Sequence, residues 1–515
     1  MSLKNKYEVI IVGYGPLGQL CALLLSKLGI KTAIIEKYHG INLLPSASVV
    51  DGHSLRFLNS LGCYDDLKDI FNIPEFLDYT IPDGKIIQRS PVKDTEDGYP
   101  NIATFYQPNL ENTLRQKVLN TNLIDLYLAH DLLSIEEIED TVHIKCKNLD
   151  ENKLVEIEAS FLLACDGVDS SIRKKLKIAL QDLKYNKDWL IVDIDMNKNQ
   201  SEPNVIKQIC DFERPTSCTH LSGNKIRWEF QILPGEQSDK MLNNEMIISL
   251  LEKYINKNSF SIDRKDIYKF RAECSKEWIR GRVALLGGAA YKLPPFGYQS
   301  LNSEIRDINN LCWKLNLVIK NKCKIEILDS YKSEREIVAK ETIMSSLAMG
   351  QLIDSIAISS KKNIPLEESV PPEARIQAFK SVKEKSTNKE KQKKIFFESD
   401  LTSSFNSLFS NFTIIMNNEK FLIDKLLKLN FSVFFNEDIG SLVSKDILQF
   451  YDEINANIYD SRTINFEDIF MKEAFKSHCF IIRPDKKIFG VSDQENSLQS
   501  ISQTLKNKIY FIESL

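Results

Sequence analysis

What this chain of 515 residues lacks narrows its chemistry first. Its 67 Lys and Arg against 71 Asp and Glu leave a net charge of -4. There is no basic excess to hold a phosphate backbone, so a nucleic-acid role has no support. No apolar run approaches the ~18 residues of a spanning helix, and no membrane span is expected. The best N-terminal stretch, from Val9, is broken by Gly13, Gly15 and Pro16. A basic start, Met1 to Lys6, precedes it without a small-residue cleavage site, so the segment reads as mature protein. The 10 cysteines include no CxxC pair, and Cys21, Cys165 and Cys312 sit inside apolar patterns. That favours buried thiols in a reducing cytoplasm over disulfides or zinc. The 6 histidines show neither HxH nor HExxH spacing, so no metal site is expected. No internal repeat is visible.

Hydrophobic residues make up 43% and charged residues 27%, ordinary values for a globular enzyme. At roughly 100–200 residues per domain the length suggests three folded units, or two plus a long insertion. The first is strongly marked. Tyr7 to Val12 reads as a buried strand, Gly13-Tyr14-Gly15-Pro16-Leu17-Gly18 as a turn, Gln19 to Leu28 as a helix ended by Gly29, and Lys31 to Ile35 as a second strand closing on Glu36. In this βαβ context Gly13 permits the tight turn, Gly15 lets backbone approach a pyrophosphate, and Gly18 lets helix pack on sheet. The helix amides face the phosphates. Glu36, 18 residues after Gly18, can accept from an adenosine ribose hydroxyl. The fingerprint announces a dinucleotide and does not separate FAD from NAD.

Two more strand-to-loop transitions follow. An apolar segment from Lys153 ends in Leu162-Leu163-Ala164-Cys165, then Asp166-Gly167, with Ser170 placed to cap a helix that contains Arg173. Alone, this is an ordinary turn. A buried strand, Gly281 to Leu286, runs into Gly287-Gly288-Ala289-Ala290, followed by Pro294-Pro295-Phe296-Gly297-Tyr298-Gln299-Ser300-Leu301-Asn302 and an amphipathic helix, Ser303 to Lys320. A loop of that kind can present free amides to an anion. Between Leu183 and Phe270 apolar and polar residues alternate, as in antiparallel strands with one face buried, placed to wall a substrate pocket. Lys380 to Lys394 holds seven lysines and two glutamates without apolar period and reads as a solvated linker. Beyond it lies a unit of about 120 residues that ends in a strand, a Pro484-Asp485 turn and a strand.

Together these segments resemble the group A flavoprotein aromatic hydroxylases, and within them the 3-(3-hydroxyphenyl)propionate hydroxylase and phenol hydroxylase branch. The resemblance covers nearly the whole chain. It implies an α/β fold: an FAD-binding Rossmann-like domain of the glutathione-reductase type (1–182 and 271–345), an inserted β-sheet substrate domain (183–270 with part of 75–105), a helical and charged linker (346–395) and a thioredoxin-like C-terminal domain (396–515). That last domain has only Cys479 and no dithiol chemistry, leaving packing or homodimer formation as its role. The implied cofactor is FAD, held by Gly13, Gly15, Gly18, Glu36, Gln107, Asp166, Gly167, Arg173, Gly287, Gly288, Pro295, Gly297 and Asn302. Gln107 opens a helix where a glutamine meets the flavin chain, and the Asp166 motif is associated with FAD and NADPH contacts. Asp307, Asn310, Leu311, Trp313 and Lys314 fit the family's helix after the flavin loop; Tyr331, Glu334 and Arg335 fit the next one.

The implied reaction has NADPH or NADH reduce FAD; dioxygen then gives a flavin hydroperoxide that hydroxylates a phenolic ring. The flavin carries the difficult step, which accounts for the missing Ser-His-Asp set. No catalytic side chain is named by the sequence. Arg214 and Arg227 resemble substrate-domain positions and are candidates to attract a carboxylate-bearing substrate. The chain also departs from the pattern. Gly287-Gly288-Ala289-Ala290-Tyr291 stands where Gly-Asp-Ala-Ala-His is usual, so the carboxylate that accepts from the ribityl chain is missing. Ser46 replaces an arginine, and Tyr298 and Ser300 replace glycines beside the ring. These changes leave open a non-catalytic binding or scaffold protein, and a plain oxidase or dehydrogenase on the same fold.

Overall fold

The computed structural model describes residues 5–41, 46–95, 97–197, 203–365, 408–493 and 496–510. The lysine-rich segment around 380–394 lies outside them. Strand β1 (Asn5–Val12), helix α1 (Pro16–Lys27) and strand β2 (Thr32–Ile35) form the first βαβ unit. Pro16 sits in the first turn of α1, where its missing N–H removes no helix bond. Leu17 to Leu25 are all buried, because α1 lies between this sheet and the later helix α2. β1 pairs in parallel with β2 on one side and with β3 (Lys153–Ala164) on the other. Val283–Leu285 adds to the far side of β3, also in parallel. The three loops singled out in the sequence therefore leave adjacent strands at the same edge, where doubly wound sheets bind ligands.

A second sheet has eight strands. Its centre is β4 (Leu180–Met196), antiparallel to β5 (Lys225–Gln231) and to β6 (Phe260–Ser275). Phe76–Thr80 and Ile86–Pro91 close one edge and Tyr291–Lys292 the other. The last pairing ties this sheet to the glycine segment that follows Val283–Leu285.

Helix α2 (Ser300–Ile319) packs on α1, and helix α3 (Asp329–Lys362) follows. It passes through residue 345, where the sequence reading divides the FAD domain from a helical and charged linker. α3 runs on until Asn363, which takes the left-handed conformation that ends helices (φ 52°). By length and composition its span, Ile325–Lys362, passes as a membrane-crossing segment, contrary to expectation, yet half of its most apolar window is buried inside the fold.

The C-terminal unit has a four-stranded sheet in the order Asn457–Asp460, Ser432–Phe435, Phe480–Ile482, Ile488–Val491, the first pair parallel and the others antiparallel. Buried ion pairs dock it. Arg56 reaches Asp424 at 2.6 Å, and Glu334 of α3 receives Arg483 at 2.7 Å and Lys314 at 3.0 Å. All 10 cysteines are free thiols, and all but Cys323 are buried.

Candidate cofactor and substrate site

The nucleotide edge is built by close backbone packing. A Cβ on Gly13 (φ 107°) would lie 2.3 Å from the Cys165 carbonyl oxygen, and one on Gly18 2.1 Å from the Gly13 carbonyl oxygen. Only glycine lets the first turn nest between β3 and α1. Gly15 differs: its Cβ direction is open, with no atom within 4 Å. Glu36 accepts from the Tyr14 amide at 2.8 Å and the Tyr38 amide at 2.9 Å, which fixes its carboxylate beside the turn. Asp166 stands next to Cys165. One of its oxygens accepts from Ser171 Oγ and the Ile172 amide, both at 3.1 Å, while Oδ1 is buried without a partner. Ser170 caps the short helix by accepting from the Arg173 amide, as its position predicts.

Two cavities adjoin this edge. The smaller, about 150 Å³, is bordered by Gln107, Gly288, Tyr291, Pro295, Tyr298 and Glu304. Gln107 donates to Glu111 at 2.8 Å, and its Oε1 is buried without a partner. The larger, about 380 Å³, lies between the second sheet and α3. Leu77, Tyr79, Trp189, Phe296, Met349 and Leu352 give it an aromatic and apolar wall. Pro295, Tyr298, Gln299, Val49 and Glu229 belong to both. Tyr298 occupies the left-handed region at φ 55°, which a bulky side chain rarely adopts. Its hydroxyl turns toward Thr219 of the second sheet, and burial pushes its pKa up. Glu229 accepts from Ser217 Oγ at 2.7 Å, and burial raises its carboxyl above the ordinary range despite nearby Arg227.

Several of the expected site residues are engaged with other partners. Arg227 is buried and bonded to Asp193 at 2.7 Å and to the Ser46 carbonyl. Asp193 also holds Arg264. Arg214 pairs with Glu236. Neither Arg214 nor Arg227 borders a cavity, because each guanidinium is committed to a carboxylate. Arg173 donates to Ala289 O at 2.8 Å and Val168 O at 2.9 Å, stapling the second turn to the third. Asn302 accepts from the Asp51 amide at 2.9 Å and Ser54 Oγ at 2.7 Å and donates to Tyr298 O at 2.9 Å. Its side chain pins the loop to the start of the helix at 52–60. Gly167, Gly287, Gly288, Pro295 and Gly297 do lie in the converging loops, with Gly288 packed so closely that a Cβ would meet the Val168 amide nitrogen at 2.9 Å.

The family model described as "FAD binding domain" matches residues 6–346. The chain belongs to this family. This FAD-binding-domain protein is similar to a 3-(3-hydroxy-phenyl)propionate/3-hydroxycinnamic acid hydroxylase of Burkholderia cenocepacia (strain HI2424), 30% identical over 68% of the chain and 64% of the relative. The matched part thus spans under two thirds of that relative's length. Its fold is that of aklavinone-11 hydroxylase, solved with FAD and aklavinone (TM-score 0.78, 17% identity, 98% of both chains). It is also that of OxyS anhydrotetracycline hydroxylase from Streptomyces rimosus (TM-score 0.76, 18% identity, 99% and 100% covered).

The residues present fit FAD, the family's cofactor. The unpartnered buried oxygens of Gln107 and Asp166 and the open backbone at Gly15 are features a polyhydroxylated, pyrophosphate-bearing ligand would complete. Glu229, Glu304 and the stretch of α3 along the larger cavity were not legible as site residues.

Proposed function

We propose that the protein is an FAD-dependent, NAD(P)H-consuming monooxygenase that hydroxylates a small phenolic molecule with dioxygen. One observation carries this reading: an aromatic-lined cavity of about 380 Å³ meets the cavity at the nucleotide edge across the Pro295–Gln299 loop, with Val49 and Glu229 also bordering both. Its size falls in the ordinary range for small-molecule sites, roughly 300–1,000 Å³. FAD, reduced by the nicotinamide nucleotide, supplies the oxygen-activating chemistry. The chain's own contribution is to bind, orient and keep water out. Gln107 Oε1 and Asp166 Oδ1 would hold the cofactor as acceptors, and Glu36 would hold its ribose. The apolar side chains of Trp189, Phe296 and Leu352 exclude water from the substrate ring. Glu229, oriented by Ser217, stands on both cavities and can exchange a proton with the phenol.

Within this reading 1–182 and 271–345 form the FAD domain and the second sheet, with part of 75–105, the substrate domain. The C-terminal unit from 396 is thioredoxin-like, used for docking or homodimer contact. The protein works in the cytoplasm, where buried thiols stay reduced. The test begins with colour. The purified protein should be yellow, or become so with added FAD, and phenols should stimulate NADH or NADPH consumption with one atom of labelled dioxygen in the product. Substrate oxidation without label would favour an oxidase or dehydrogenase. A colourless protein that takes up no FAD would leave only a binding role.

A further inference from the structure

We propose that Glu304 delivers from helix α2 the carboxylate that Gly288 lacks, and that it accepts hydrogen bonds from the hydroxylated chain of FAD. The inference rests on the FAD reading above and adds a residue that the sequence motif does not contain. Glu304 lies in the second turn of α2, beside the glycine pair. Its Oε1 accepts from the Gly288 amide at 3.0 Å. A Cβ on Gly287 would fall 2.6 Å from Glu304 Cγ and 2.8 Å from Cδ, so glycine there makes the room that the glutamate occupies. The side chain borders the smaller cavity together with Gln107, whose Oε1 has no partner.

Among the described residues, no hydrogen bond reaches the second oxygen of Glu304 and no lysine or arginine forms an ion pair with it. Of the three cations on the cavity wall, Lys292 is engaged with Glu273 at 2.9 Å and Arg271 with Asp188 at 3.1 Å, and Lys269 makes no ion pair with Glu304. A carboxylate held in a cleft without a counter-charge calls for hydrogen-bond donors. A polyhydroxylated ligand chain supplies them. The lost acceptor at position 288 and the glutamate at 304 are thus two halves of one relocation, 16 positions apart in the chain.

The groups facing Glu304 are Asp307 on its own helix, Tyr291, Tyr268 and Cys165 from the strands and loops around it, and Lys269, Arg271 and Lys292 on the same cavity. Burial raises its carboxyl to about 7, and Asp307 adds to the rise. Donors on the ligand favour the ionised form, so FAD affinity should increase as pH rises through about 7.

The experiment is an FAD titration of the apo full chain, followed by flavin fluorescence, for the wild type, Glu304→Gln and Glu304→Ala. Circular dichroism and thermal melts of the apo proteins check folding. Loss of a charged acceptor should weaken FAD about 10- to 150-fold in Glu304→Ala. Glu304→Gln, which keeps an acceptor oxygen, should lose less and lose the pH dependence. A folded Glu304→Ala that binds FAD as tightly as the wild type, or more tightly, overturns this inference alone, since the side chain would then merely fill space. A wild type that takes up no FAD at any pH overturns the functional reading and this inference with it.

Discussion

Removing the Asp193 carboxylate tests how the substrate sheet is held. Asp193 sits in β4 with no solvent exposure, between Arg227 of β5 and Arg264 of β6, themselves almost fully buried. Asp193→Ala would leave two guanidiniums in the interior without their carboxylate. Breaking a buried pair in this way costs about 3–5 kcal/mol, far more than an exposed pair. Arg227 also holds the Ser46 carbonyl, so the wall of the smaller cavity should loosen. Urea unfolding followed by tryptophan fluorescence is a direct assay, because Trp189 and Trp228 report from β4 and β5. The sign with pH follows from the carboxyl. Burial opposes ionisation of Asp193, but Arg227 and Arg264 outweigh it and hold the group below its ordinary value. Its contribution is therefore complete above the ordinary carboxylate range and is lost as acid approaches the depressed value. If Asp193→Ala unfolds at the wild-type urea midpoint, the buried-triad account is wrong. Arg227 would then be released for a carboxylate-bearing substrate, as the sequence alone suggested.

Other expectations are simpler to state. Tyr298→Gly relieves a left-handed aromatic residue but removes a buried ring, for a net loss of ~2 kcal/mol, and joins the two cavities; bulkier phenols should then be accepted in an NAD(P)H-consumption screen. Glu229→Gln should lower kcat for a phenol about 100-fold and flatten its pH profile, while FAD affinity stays unchanged. Arg56→Met leaves Asp97 and Asp424 without their buried partner, so after limited proteolysis the C-terminal unit should separate in gel filtration, whereas the wild type should keep it attached.

Local geometry was readable in advance, and partner choice was not. The first glycine turn and its acid were legible because the strand, turn, helix and second strand lie within 30 residues and each residue type has one physical reason to be there. Ser170 as a helix cap was legible for the same reason. Arg227, by contrast, is defined by Asp193, which is 34 residues away and on a neighbouring strand. Periodicity gives the face of a strand, not the charge opposite it. Asn302 fails in the same way: its role depends on Asp51 and Ser54, some 250 residues earlier. The missing carboxylate at Gly288 was visible as a gap, whereas Glu304 could be matched to it only through the fold.

The length of α3 has a mechanical consequence. Glu334 near its start is gripped by Arg483 from the C-terminal unit, while Met349, Leu352 and Ile353 further along form the wall of the larger cavity. These points are about 22 Å apart on one rod, at 1.5 Å of rise per residue. One rigid helix therefore touches both the guest's cavity and the anchor of the C-terminal unit. If that rod moves as one body, substitutions at Arg483 should alter substrate affinity as well as docking.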